Sequence, residues 1–181
     1  HSCNLQIITI LQPNHGSLSL RFDGQSERTM AVSIGDSLPS FSLVDQEGVL
    51  RNSADRGQRP LVLFFYPKDD TPGCTAEACG FRDSFARFQE LGANVWGVSG
   101  DDNVSHRRFA ERYQLPFPLL SDRGNALRQK MGVPKALGLI PGRVTYIVGT
   151  NGVVRHIFSN LLDGPAHVSE AEKVLIGLKA S

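Results

Sequence analysis

This sequence predicts an α/β fold, a central mixed β-sheet flanked by helices on both faces, and three observations carry the prediction. An unbroken apolar run at residues 61–66 (LVLFFY) reads as a strand buried on both faces, and residues 94–100 (NVWGVSG) read as the next buried strand. A helical stripe lies between them, so strand, helix and strand make a βαβ unit. Nearer the end, two strand-like segments joined around Asn151-Gly152 form a hairpin and bring antiparallel neighbours to the parallel pair.

Composition sets the limits. With 181 residues, 40% hydrophobic and 20% charged, the chain can bury a real core in one domain, and a formal net charge of +1 gives no reason to expect nucleic acid as a partner. No stretch approaches the roughly 20 apolar residues of a membrane span. Three cysteines, an odd number, do not make a secreted disulfide framework.

In chain order, residues 42–51 hold two short strand-like pieces around Gln46-Glu47-Gly48 and read as a hairpin; residues 56–60 are a polar loop. The strand at 61–66 stops at Pro67. A polar turn follows, and a helix begins with Thr71 as N-cap and Pro72 as first residue, where a missing N–H costs nothing. Ala78, Phe81, Phe85 and Phe88 recur at helical spacing as its packing stripe, and Gly92 closes it. After the strand at 94–100, Asp101-Asp102 offer a cap for a helix over 104–113. Paired acids could bind a metal only with other carboxylates converging, so this pair and Asp69-Asp70 are read as cap or surface residues. His106, Arg107 and Arg108 are read as a solvated helix face. Residues 115–121 (LPFPLLS) form an extended segment ending in a short strand, and 124–131 a brief helix. Residues 135–141 (KALGLIP) are an apolar loop, either tucked into the core or lining an apolar entrance. Strands follow at 143–148 and 153–158. A final amphipathic helix over 165–180 puts Val168, Ala171, Val174, Leu175 and Leu178 on one side.

The chemistry centres on two cysteines. Cys74 falls in the first helical turn, where unpaired N–H groups and the positive end of the helix dipole favour a thiolate, so it is a candidate nucleophile. On the helical wheel Cys74 joins the inward stripe and Cys79 lies off it. Five residues of helix separate their Cα atoms by roughly 8.6 Å and turn their side chains about 140° apart. A disulfide tolerates at most about 7 Å, so bonding these thiols requires the start of the helix to unwind. The spacing also argues against a C-x-x-C dithiol and against zinc.

The stretch YPKDDTPGCTAEACGFRD at 66–83 resembles the active-site signature of the peroxiredoxins, and the second cysteine at Cys79 is similar to the peroxiredoxin Q subgroup, also called bacterioferritin comigratory protein. SGDD at 99–102, LLSD at 119–122 and PGRVTYIV at 141–148 extend the likeness from Met30 to the C-terminus. The resemblance implies a thioredoxin-like fold and a thiol-dependent peroxidase, reducing hydrogen peroxide and organic hydroperoxides in antioxidant defence. It implies Cys74 as peroxidatic nucleophile, Cys79 as resolving thiol, Thr71 as a hydroxyl donor toward the peroxide and the sulfur, and Arg143 as the fixed positive charge. Pro67 would shield the pocket and Glu77 would orient Arg143. A Cys74–Cys79 disulfide would be recycled by thioredoxin or a similar dithiol protein, in a monomer, with no metal or other cofactor. The wording looks like the cyanobacterial and plastid versions, so a bacterial cytoplasm is expected, with the chloroplast as alternative.

Two other classes use the same pair of thiols. A general disulfide oxidoreductase would act on protein substrates without consuming peroxide, and a redox-sensing binding protein would form the disulfide and engage a partner. Met30 opens the segment that resembles a peroxiredoxin start, so the domain is placed at 30–181 and residues 1–29 are expected to be a leader or extension, poorly ordered or non-native. Within it, 5–11 (LQIITIL) lacks the basic flank of a secretory signal and could pair with SLSLRF at 17–22 as a small hairpin; Cys3 is read as incidental.

Overall fold

The computed structural model describes residues 31–181. The expectations for the first 29 residues, including Cys3, lie outside them. A hairpin comes first, β1 (Ser42–Val44) and β2 (Leu50–Asn52), then β3 (Leu61–Phe65), α1 (Pro72–Asp83), α2 (Phe85–Glu90) and β4 (Asn94–Ser99). The chain continues through α3 (Asn103–Tyr113), β5 (Leu119–Ser121), α4 (Ala126–Met131), β6 (Lys135–Ala136) and β7 (Ile140–Pro141). It ends with β8 (Val144–Val148), β9 (Val154–Ser159) and α5 (Gly164–Ala180).

Seven strands form one sheet in the order β2-β1-β5-β4-β3-β8-β9. β3 runs parallel to β4 and antiparallel to β8, so the sheet is mixed, as its apolar runs and hairpin signal predict. Every residue of β3 is buried, because both faces of this central strand are covered. One face packs Val62, Phe64 and Tyr66 against Cys74, Ala78 and Phe81 of α1, Phe88 of α2, Phe109 of α3 and Leu175 of α5. The other packs Leu61, Leu63 and Phe65 against Leu127 and Met131 of α4 and against Val32, Leu38 and Phe41. Helices lie on both faces, but the second is covered as much by the segment before β1 as by its one short helix.

The predicted helix from Pro72 to Gly92 is two helices. At Ser84 (φ −95°, ψ 5°) the turn tightens and the N–H reaches the carbonyls of Gly80 and Arg82. Asp83-Ser84, whose short polar side chains compete for backbone groups, are poor helix-interior residues. Residues 135–141 are not tucked into the core. They make a two-stranded ribbon whose turn places Leu137 (φ 51°) and Gly138 (φ 72°) in the left-handed region. Such a turn throws its side chains outward, and Leu137 and Leu139 are 90% and 86% exposed. Among the described residues, no helix is long and apolar enough to cross a membrane.

Candidate active site

The register of the sheet builds the site. Phe65 at the end of β3 lies opposite Val144 at the start of β8, which brings the turn after β3 beside Arg143. That turn leads into α1 and delivers Cys74, in the first turn of the helix, to the same place. Cys74 is 2% exposed and faces the core, while Cys79 is half-buried on the flank, as the helical stripe predicts. Both thiols are free, and α1 runs unbroken across them.

Arg143 is the hub. Its Nη2 donates to Cys74 Sγ at 3.4 Å, its Nη1 donates to Glu77 Oε2, and its Nε donates to the Leu161 carbonyl at 3.1 Å. The Arg143 side chain is 4% exposed. Burial works against its charge, but Glu77 and the Cys74 sulfur outweigh burial and hold it above its ordinary value. Gly73 leaves room for it: a Cβ there would sit 3.1 Å from Nη2.

Glu77 is fully buried one helical turn beyond Cys74. Burial pushes its carboxyl up to about 8, with Arg143 pulling the other way. Its Oε1 lies 3.9 Å from His167 Nδ1 and has no hydrogen-bond partner among the described residues. His167 donates from Nε2 to the Asn160 carbonyl at 2.8 Å, which leaves Nδ1 to accept from the Thr145 hydroxyl at 2.8 Å. Burial pulls this imidazole below its ordinary value, so it stands neutral beside Glu77.

Thr71 occupies the N-cap position, but its hydroxyl does not cap the helix. Nor does it donate toward the sulfur as expected: its one proton goes to the Lys68 carbonyl at 2.9 Å, which leaves its lone pairs available and the first amides of α1 uncapped by a side chain. Pro67, half-buried, opens the turn between β3 and α1. Cys74, Arg143 and Glu77 therefore converge by direct contact, with Thr71 and Pro67 on the loop beside them.

The acidic pairs depart from expectation. Asp102 caps α3, accepting from Ser105 N at 2.8 Å, as expected of one of them. Asp69 is no surface residue. It is 5% exposed, accepts from the Tyr66 phenol at 2.7 Å and from Ser105 Oγ at 2.8 Å, and lies 2.8 Å from His106 Nδ1. His106, expected on a solvated face, is fully buried and donates from Nε2 to the Leu120 carbonyl at 3.2 Å. Asp101 accepts from Ser99 Oγ at 2.6 Å and from the amide of Asp69 at 2.8 Å. The potential ligand atoms of Asp69, Asp101 and His106 lie within 4.8 Å of one another. Each is already engaged, so the cluster reads as a knot that pins the turn after β3 to β4 and α3. Burial first, and Asp69 next, push the Tyr66 phenol well above its ordinary value, which keeps it a donor. A signal for His106 was present: it shares one helical face with Phe109 and Ala110.

A thiol held against a buried guanidinium at a helix start is suited to nucleophilic attack with developing negative charge stabilised nearby. The sequence profile of the AhpC/TSA family matches residues 34–157. The chain is similar to chloroplastic peroxiredoxin Q of Oryza sativa subsp. japonica, 48% identical over 148 residues that cover 81% of this chain and 68% of that one. It is 47% identical to chloroplastic peroxiredoxin Q of Sedum lineare over 149 residues, 82% of this chain and 80% of that one. Among solved structures it is similar to the peroxidoxin BcpB of Mycobacterium tuberculosis, with TM-score 0.75 and 35% identity over 81% of this chain and 98% of that one. A PrxQ mutant of Xylella fastidiosa matches with TM-score 0.74 and 30% identity over 83% of this chain and 98% of that one. These likenesses, on a thioredoxin-like fold with a thiol against an arginine, make the chain a member of the AhpC/TSA family, of the peroxiredoxin Q kind and thus a thiol-dependent peroxidase.

Proposed function

We propose that Cys74 is the peroxidatic nucleophile of a two-cysteine cycle resolved within one chain by Cys79. The observation that carries this reading is the donation from Arg143 Nη2 to a buried Cys74 Sγ at 3.4 Å. The thiolate attacks one oxygen of the hydroperoxide; the S–O bond forms as the O–O bond breaks, sulfur is oxidised to a sulfenic acid, and the leaving alkoxide or hydroxide takes up a proton. Arg143 stabilises both the attacking sulfur and the departing oxygen. Thr71, already donating to Lys68, accepts from the peroxide O–H and orients it. Pro67 shields the sulfur from water, and Glu77 holds Arg143 in line.

The first turns of α1 then unwind. The Cys79 thiolate attacks the sulfenic sulfur; the S–S bond forms as the S–O bond breaks, and the hydroxide that leaves takes up a proton from solvent to become water. Two electrons from thioredoxin or a similar dithiol protein return both thiols, and α1 rewinds. No second subunit is required, so the enzyme works as a monomer. A reducing compartment suits this chemistry, and the chloroplastic relatives support a plastid over a bacterial cytoplasm.

Thioredoxin-coupled consumption of hydrogen peroxide and of a small organic hydroperoxide tests the reading. Cys74→Ser is expected to abolish turnover. Cys79→Ser is expected to complete a single oxidation of Cys74 and then stall. Unchanged coupled turnover in Cys79→Ser would remove Cys79 as resolving thiol, and a protein that exchanges disulfides without consuming peroxide would favour the general oxidoreductase.

A further inference from the structure

A second buried arginine stands behind the first. Arg128 of α4 is 3% exposed, yet its guanidinium spends its donors on carbonyls: Nη1 on Gly142 at 2.6 Å and Nη2 on Tyr66 at 2.7 Å. Those acceptors stand at special places in the chain. Tyr66 stands between the end of β3 and Pro67; Gly142 is the residue before Arg143, which in turn precedes β8.

We propose that Arg128 is a positioning residue for the peroxidase reaction, a strap whose single planar fork ties the loop that leads to Cys74 to the loop that carries Arg143, and so sets how Arg143 meets the sulfur.

Packing alone does not account for an arginine here. Its guanidinium carbon lies 5.6 Å from the ring centroid of Phe65, a member with Leu127 and Met131 of the apolar cluster on this face, and an apolar side chain of similar length would be buried there without burying a charge. The helix presenting Arg128 is itself fixed. Asp122 accepts from Leu127 N at 3.0 Å and from Arg128 N at 2.8 Å, one carboxylate oxygen to each. The same unit grips Gly142 from the other side. Gly142 N donates to the Pro134 carbonyl at 2.9 Å, and a Cβ on Gly142 would meet that oxygen at 2.3 Å, so only glycine fits. Arg143 thus leaves a turn with little freedom to shift. Two parallel donors in a rigid plane suit this role, whereas a lysine offers a point charge on a flexible stem. Burial lowers the hold of Arg128 on its proton, while Asp122 first, and then Cys74, Tyr146 and Tyr66, act in its favour.

The inference rests on the assignment of Cys74 as nucleophile, and the experiment separates the two. Arg128→Lys and Arg128→Gln are prepared in the full chain. For each, the second-order rate of Cys74 oxidation by hydrogen peroxide is compared with its rate of alkylation by iodoacetamide, the labelled cysteine being located by mass spectrometry and the melting temperature recorded. Alkylation needs only a thiolate; peroxide cleavage also needs Arg143 in line. Arg128→Lys, which keeps the charge and loses the fork, is expected to lose on the order of tenfold in peroxide rate while its alkylation rate stays within about twofold. Wild-type peroxide rates in Arg128→Lys, or peroxide and alkylation rates falling in proportion as the protein loosens, would overturn the proposal even if Arg128→Gln fails to fold. If Cys74→Ser retains turnover, the assignment of the nucleophile fails instead.

Discussion

Glu77 has one oxygen on Arg143 and another without a partner among the described residues, so burial decides its protonation. Its carboxyl holds a proton in the folded chain up to about 8, against an ordinary value of 4.5. Between those values the folded state binds a proton that the unfolded state has released. The stability this contributes is therefore complete below pH 4.5 and is lost as pH rises toward about 8. Glu77→Gln cannot ionise and is expected to flatten that part of the stability profile, measured by urea unfolding across the window. It keeps an acceptor for Arg143 and should cost only about 1 kcal/mol, whereas Glu77→Ala leaves a guanidinium buried without its partner and should cost about 3–5 kcal/mol. Cys74 was legible in the sequence because a helix start and an inward stripe coincide there. Arg143 and Glu77 were found through the wording of their motifs, since nothing in periodicity says that residues 66 positions apart meet. Arg128 had no signal at all. In ALRQKM it looks like any solvated helical arginine, and only the return of the chain through Gly142 gives it partners.

At the scale of elements, the approach of α5 to α1 fixes the floor beneath Glu77. A Cβ on Gly164, the first residue of α5, would lie 2.7 Å from the Gly73 carbonyl and 2.8 Å from Glu77 Cβ. Backbone on one side and a buried side chain on the other leave nowhere for a methyl to go. Gly164→Ala is expected to destabilise the protein by about 1–3 kcal/mol in urea unfolding and to lower peroxide kcat/KM. Gly177→Ala, later in the same helix with nothing within 4 Å, is expected to be neutral or to stabilise by up to about 1 kcal/mol. The strands were legible from apolar runs because the sheet is covered on both faces. The division of one predicted helix at Ser84 was not, because the aromatic stripe continues through it: Phe81 and Phe88 are both fully buried on the same side of the sheet.

At the scale of the molecule, the buried apolar residues among those described sort into two clusters, one on each face of the sheet, and the ribbon tip belongs to neither. Replacing Leu137 and Leu139 together by serine should therefore change the free energy of unfolding by no more than about 0.5 kcal/mol, a result that a core position would not give. The mixed sheet and its helical layers could be read from the sequence, but its strand order could not, since pairing between β3 and β8 is settled by packing over 80 residues of intervening chain or so. Cys74 has a further meaning at this scale. It is a member of the apolar cluster, lodged with Tyr66, Ala78 and Phe81, and not a group hung over an open cleft. In the proposed cycle it must be drawn out of that interior to reach Cys79, so each turnover would borrow from the same cohesion that keeps the chain folded. An enzyme hardened around this sulfur would gain resistance to heat and lose pace in the second half of its cycle.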